Sequence, residues 1–252
     1  MKRLVLVTLF TVFALNALSW NRVGHAVAVA VAQRHLTEET KKNIAKYIDY
    51  DLKDDASWMD LHRKDPEISY THHWHSYYVD ENFNHDPNTS STKLRFGDSV
   101  RAMQVCESTL RNNRRVHLTD SAVVMSLRIL IHVLPDMHCP VHVRYNHLKN
   151  PEGSFNVLGK EYEGFHKVYD SMPSIIWNQI PADEVAATID TASASEIRQI
   201  VDGNIYDWIT DIAKKNISIY DIRPTDSFEL VNTQLRNAGY RLAYLLNLYF
   251  GE

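Results

Sequence analysis

TDSAVVMSLRILIHVLPDMHCPVH, residues 119–142, decides the fold. Val123, Leu127, Leu130 and Leu134 recur at steps of three and four, which is one apolar stripe on a helix of about 3.6 residues per turn. Thr119 or Asp120 precedes the run as an N-cap. So apolar a helix belongs in a core, yet its end carries His132 and Asp136, with His142 just beyond. Imidazole and carboxylate groups are costly inside a core unless something satisfies them. The stretch therefore predicts a buried helix and, at its end, a buried set of ligands.

The same period governs most of the chain. TEETKKNIAKYI, residues 37–48, follows a Thr37 cap. SEIRQIVDGNIYDWITDI, residues 195–212, repeats Ile197, Val201, Ile205, Trp208 and Ile212. Beyond Asp226, Phe228, Val231, Leu235, Ala238, Leu242 and Leu245 form another stripe, and Asp226 with Glu229 has capping-box spacing. Only HSYYVD, residues 75–80, reads as a strand. Residues 81–97 and 143–163 read as loops. No linker divides the chain. The expected fold class is all-α, a mostly helical single domain over residues 20–252 with a short strand or hairpin near residues 75–80.

At 252 residues and 44 % apolar content the chain can build a large core without disulfides. Its net charge of −4 and lack of a basic run exclude bulk attraction to nucleic acid or an anionic membrane. Residues 1–19, MKRLVLVTLFTVFALNALS, read as a signal peptide. Lys2 and Arg3 precede a short apolar run, and Ala17-Leu18-Ser19 forms a small-x-small cleavage site. Removal makes Trp20 the first residue and, with Lys2 and Arg3 gone, moves the charge from −4 to −6. The expected location is secreted or periplasmic, with no membrane anchor after cleavage and no stable protein partner implied. Cys106 and Cys139 permit one disulfide in an exported protein. Cys139 is alternatively a soft metal ligand beside Asp136 and His142.

The 13 histidines are the compositional oddity. His132 and Asp136 are four residues apart and share a helix face; so are His166 and Asp170 in FHKVYD. Each pair can clamp one side of a metal ion, and imidazole with carboxylate suits zinc. His142 follows Pro140, where a helix ends, and can turn back toward the same place. Upstream lie Asp60 and Arg63 from SWMD onward, His72, His73 and His75 in THHWH, and His25 in WNRVGH. Once exposed, the α-amino group of Trp20 is a further nitrogen donor.

The order W-x-x-x-G-H, S-W-x-D, a His near a short strand, H-x3-D-x5-H and H-x3-D resembles the S1/P1 nuclease family. That family comprises secreted, mostly helical enzymes with three zinc ions, sharing a fold with zinc-dependent phospholipase C. The resemblance covers Trp20 to about Asp170. It implies one zinc on Asp60, His75, His132 and Asp136, and a second on His142, His166 and Asp170. It implies a third on Trp20, through its amino nitrogen and carbonyl oxygen, His25 and the bridging Asp136. Arg63 then stabilises charge on the phosphate, while Tyr78 stacks on a base and Asp80 hydrogen-bonds to it. The sequence departs from the pattern where position 77 is Tyr rather than His. His75 is taken as the ligand across a two-residue bulge, with His72 and His73 as alternatives. Tyr169 stands where the family has Trp, and Pro135 precedes the bridging acid and should bend its helix. His62, His85, His117, His138 and His147 match no family position and read as solvent-facing or as supporting the ligands.

This set suits phosphodiester hydrolysis. Zinc lowers the pKa of bound water from about 15.7 to about 7 and neutralises phosphate oxygens. Asp60 is placed to orient or deprotonate the water, and Arg63 offers a bidentate fork. Three zinc ions against three carboxylates leave about +3 at one spot, which attracts a polyanion to an acidic chain. Stacking needs an unpaired base, so single-stranded nucleic acid is the expected substrate. The expected activity is cleavage of single-stranded DNA and RNA to 5′-phosphate products, with 3′-nucleotidase activity. One alternative is a phospholipase C, although that group has a longer gap from Trp to the first His and ends its last pair with Glu. The other is a non-catalytic exported zinc-binding protein, which would need no Arg63, Tyr78 or Asp80.

Overall fold

The computed structural model describes residues 20–49, 51–86, 97–116 and 119–251. The signal peptide read over residues 1–19 and His117 lie outside them. Helices dominate: α1 Arg22–Arg34, α2 Glu38–Ile44, α3 Trp58–His62, α4 Ser99–Val116, α5 Asp120–His138, α6 Phe165–Ile176, α7 Ala182–Ile189, α8 Ala194–Val201, α9 Ile205–Asn216 and α10 Phe228–Phe250. The strands are short: β1 Tyr77–Val79, β2 Val143–Tyr145, β3 Ser154–Val157 and β4 Lys160–Glu163. The all-α reading therefore holds. No described helix is long and apolar enough to cross a membrane.

Helix α5 starts at Thr119, whose hydroxyl accepts from the Ala122 N–H. From Ile129 to His138 every residue is buried. The helix continues through Pro135, which removes a backbone donor, and stops at Cys139 ahead of Pro140. A 3-10 turn, Pro140–His142, folds the chain back. Helix α1 runs Val27-Ala28-Val29-Ala30-Val31-Ala32 with all six residues buried, and packs against α10, α5 and α7. Its approach to α10 is close because Gly239 has no side chain. A Cβ there would stand 2.5 Å from Val31 Cβ. Gly24 does the same for α6: a Cβ would meet Pro173 Cγ at 2.9 Å and Trp20 Cβ at 3.1 Å.

Several local expectations need correcting. Strand β1 is present, but pairs in parallel with β2, which lies in a stretch read as loop. That same stretch holds the β3–β4 hairpin, whose turn places Leu158 (φ 51°) and Gly159 (φ 81°) in the left-handed region. The 195–212 stripe is two helices, because Gly203 (φ 85°) breaks the chain and Asn204 opens a new capping box with Asp207. Asp226 caps nothing; its carboxylate pairs with Arg223, and α10 begins after Ser227. His75 ends a 3-10 helix, Ser69–His75, so no strand bulge is needed. Cys106 and Cys139 are both free, buried thiols.

Candidate metal centre

Asp136 is fully buried at the end of α5, and five nitrogens surround its carboxylate. Oδ1 lies 3.2 Å from the Trp20 main-chain nitrogen, 3.2 Å from His25 Nε2 and 3.6 Å from His142 Nδ1. Oδ2 lies 2.8 Å from His75 Nδ1 and 3.3 Å from His132 Nε2. Asp60 joins through His132, 4.0 Å from its Oδ1. His142 Nε2 reaches Asp170 Oδ1 at 3.5 Å, and His166 Nε2 reaches Asp170 Oδ2 at 3.1 Å. Trp20, His25, Asp60, His75, His132, Asp136, His142, His166 and Asp170 thus form one continuous cluster.

The placement of each follows from local structure. Asn21 caps α1 by accepting from the Val23 and Gly24 N–H groups, which fixes the turn carrying His25. His25 is near the start of its helix yet fully buried, its ring stacked 4.1 Å from that of His132. Trp20 is anchored from three sides. Its indole donates to the Pro135 carbonyl at 2.9 Å, and the Asn21 N–H donates to the Asp170 carbonyl at 3.0 Å. Its own main-chain N–H points at Asp136. Among the three candidates of THHWH, His72 is exposed, His73 half-buried, and His75 buried at the centre.

Electrostatics follow from that burial. Burial opposes ionisation of Asp136, yet His142, His132 and His25 hold its carboxyl well below the usual carboxylate range. For His132 burial favours the neutral ring, but Asp136 outweighs it and raises the pKa to about 9. Burial, then His132, lowers His25. Burial also lowers His166. The Cys139 thiol is pushed up by burial and by Asp170, which accepts its hydrogen bond at 3.5 Å. Buried imidazole and carboxylate at this density are a donor set suited to a cation.

The residues fit divalent metal. Two donors on a tetrahedral zinc, each about 2.05 Å from it, stand roughly 3.3 Å apart. Separations of 3.1, 3.2, 3.3, 3.5 and 3.6 Å recur here. Both ring nitrogens of His142 are buried without a hydrogen bond while facing two carboxylates. His132 Nδ1 donates to the Ala56 carbonyl at 2.7 Å, which turns Nε2 toward the centre, where it is available to a metal. Three groups can each hold an ion: His25, His132 and Asp136; Asp60, His75 and His132; Cys139, His142 and Asp170. The first two groups share His132, and the third includes Cys139, which the sequence offered as an alternative ligand.

The remaining predicted residues, Arg63, Tyr78 and Asp80, are none of them fully buried. Arg63 ends α3, one turn beyond Asp60, and is half-buried. Tyr78 is half-buried in β1. Asp80 is committed to a turn: Oδ1 accepts from the N–H groups of Asn84 (2.8 Å) and Asn82 (2.9 Å), which lower its pKa. Sequence reasoning missed two residues. His138 is neither solvent-facing nor beside the ligands. It is fully buried on another face of α5, its Nδ1 donating to the Leu134 carbonyl and its Nε2 accepting from Arg241 at 2.9 Å. Arg144, two residues past His142, places a guanidinium nitrogen 3.4 Å from His166 Nδ1. His85 pairs with Asp98, and His62 with Asp65.

The fold and donor set define a class: a helical domain with a buried, carboxylate-bridged site able to hold metal ions. A family model described as S1/P1 Nuclease matches residues 20–251, and the chain belongs to the S1/P1 nuclease family. It is accordingly a hydrolase of the nuclease type, with nucleic acid as its substrate class. No curated protein matches the chain.

Proposed function

We propose that the protein is an exported, zinc-dependent phosphodiesterase. It cleaves single-stranded DNA and RNA to 5′-phosphate products and removes phosphate from 3′-nucleotides. The observation that carries this reading is the unbroken run of contacts linking nine donor residues through Asp136 in a chain of the nuclease family. The ligand sets are those the resemblance implies: Asp60, His75, His132 and Asp136; His142, His166 and Asp170; and Trp20 with His25 and Asp136. When bound, zinc supplies a Lewis acid for phosphate oxygens and lowers the pKa of water.

The chain's own residues do the rest. Asp60 has a carboxylate a quarter exposed at the edge of the cluster, within reach of solvent, where it orients the attacking water and takes its proton. Arg63, one helical turn on, donates to a non-bridging phosphate oxygen. Tyr78 stacks on an unpaired base, which restricts the substrate to single strands. Asp80 holds the turn beside it and keeps Oδ2, shared with Asn84 Nδ2 at 3.3 Å, toward a base N–H.

The test is direct. Mature zinc-loaded protein is given single- and double-stranded DNA, RNA, 3′-AMP and a phosphatidylcholine, and product ends are mapped. Cleavage of the single strands with 5′-phosphate ends and release of phosphate from 3′-AMP are expected. Intact single strands contradict the reading, and hydrolysis of the phosphatidylcholine alone turns it toward the phospholipase alternative.

A further inference from the structure

Arg144 plays no part in the ligand set, yet its guanidinium touches it. The residue is half-buried in the middle of β2, two residues beyond His142. Its flanking neighbours Val143 and Tyr145 are buried, so the strand turns Arg144 the other way. The parallel register sets it directly opposite Tyr78, with Tyr77 and Val79 buried on either side. Tyr78 and Arg144 therefore stand side by side on one face of the two-stranded ladder.

Arg144 is poorly partnered where it stands. A guanidinium has five N–H donors and no acceptor. Among the described residues no carboxylate lies within ion-pair distance of it, and its hydrogen-bond contact is NH2 to His166 Nδ1 at 3.4 Å. When His166 holds a metal through Nε2, Nδ1 carries the ring proton and two donors face each other. An anion brought to the centre is the group that satisfies this guanidinium. Bidentate donation to phosphate oxygens is what its planar fork does best.

We propose that Arg144 is a phosphate-binding residue, gripping the substrate from the side of the centre that carries His142 and His166 while Tyr78 next to it holds the attached base. The inference deepens the nuclease reading and rests on it for the nature of the substrate. It also explains how a short parallel ladder, otherwise a minor element, takes part in recognition: one strand carries the aromatic platform, the other the cation.

The test compares wild type with Arg144→Ala and Arg144→Lys as zinc-loaded proteins. Metal content and melting temperature are recorded first, then inorganic phosphate binding by calorimetry, then KM and kcat on a single-stranded oligonucleotide. Losing a charge-assisted hydrogen bond costs enough to weaken phosphate binding about tenfold or more. R144A is expected to show that loss with a matching rise in KM and unchanged metal content and melting temperature. R144K, which keeps the charge but not the fork, is expected to fall between. Unchanged phosphate affinity and KM in R144A overturn the proposal. So does loss of zinc in both variants, which makes Arg144 a support for His166 instead. Should wild type leave oligonucleotides intact while R144A still weakens phosphate binding, the nuclease reading fails and the phosphate site stands.

Discussion

The main-chain nitrogen of Trp20 lies 3.2 Å from Asp136 Oδ1, across 116 residues of sequence. The same tryptophan donates its indole N–H to the Pro135 carbonyl. The start of the family-matched region is therefore clamped to the end of the central helix by both its main chain and its side chain. The Pro135 carbonyl can accept the indole because α5 tightens at its end, where the Cys139 N–H bonds to the Asp136 carbonyl at 2.9 Å instead.

Asp136→Asn is the sharpest change to the centre. It keeps the shape and removes the charge that five nitrogens surround. Even a change beside a metal ligand costs about 10- to 100-fold in metal affinity or activity. We expect bound zinc to fall below stoichiometry and oligonucleotide cleavage to drop by more than about 100-fold, checked by elemental analysis and initial rates. Asp136→Asn with full zinc and near-normal turnover would deny Asp136 its bridging role.

Gly24 sets how closely α1 approaches α6. Gly24→Val drives atoms into Pro173 and Trp20, where even a Cβ stands at 2.9 and 3.1 Å. Overpacking of this kind costs roughly 1–3 kcal/mol. Because Trp20 is one of the crowded neighbours, zinc content should fall with stability. Urea unfolding and metal analysis on the same samples check both.

Much of this was legible in the sequence, and the failures have physical causes. The stripe of α5 and its His132–Asp136 pair are periodic signals, and periodicity survives folding. The break between α8 and α9 was written as Asp202-Gly203-Asn204, but the apolar residues happen to keep phase across it. The β3–β4 hairpin buries little beyond Val157 and turns through Leu158 rather than Asn, so neither alternation nor turn chemistry announced it. His138 was readable in part: six residues from His132 is about 240° round a helix, another face altogether. Its partner Arg241 lies 103 residues away, which no local pattern reveals.

That pair yields a pH prediction. Burial, and then the positive charge of Arg241, lower the His138 pKa to about 3 from 6.5. The unfolded chain takes up this proton below pH 6.5 and the folded chain does not, so stability is full above that pH and is lost as pH falls toward 3. At pH 4.5 the loss is about 3 kcal/mol. His138→Gln still offers an acceptor to Arg241 but cannot titrate. Urea unfolding of metal-free wild type and variant between pH 7 and 4.5 should show the variant's curve flatter by about that amount. Parallel curves would mean that His138 is charged in the folded state.

Chelation should act on stability as well as activity. A ligand present at a thousandfold excess over its Kd contributes about 4 kcal/mol, roughly 10 °C in melting temperature for a chain of this size. Stripping zinc removes this and leaves His142 buried between the carboxylates of Asp136 and Asp170. Differential scanning calorimetry with and without chelator checks it, and zinc added back should restore both the transition and the cleavage.

The central claim is that residues from six separate parts of the chain hold three zinc ions, one of them on the amino group of Trp20. Anomalous diffraction at the zinc edge, on crystals of protein whose N-terminus has been sequenced, tests it most directly. Three peaks among Trp20, His25, Asp60, His75, His132, Asp136, His142, His166 and Asp170, in a chain beginning at Trp20, are predicted. Two peaks, or a chain that still carries Ser19 with full activity, would contradict it.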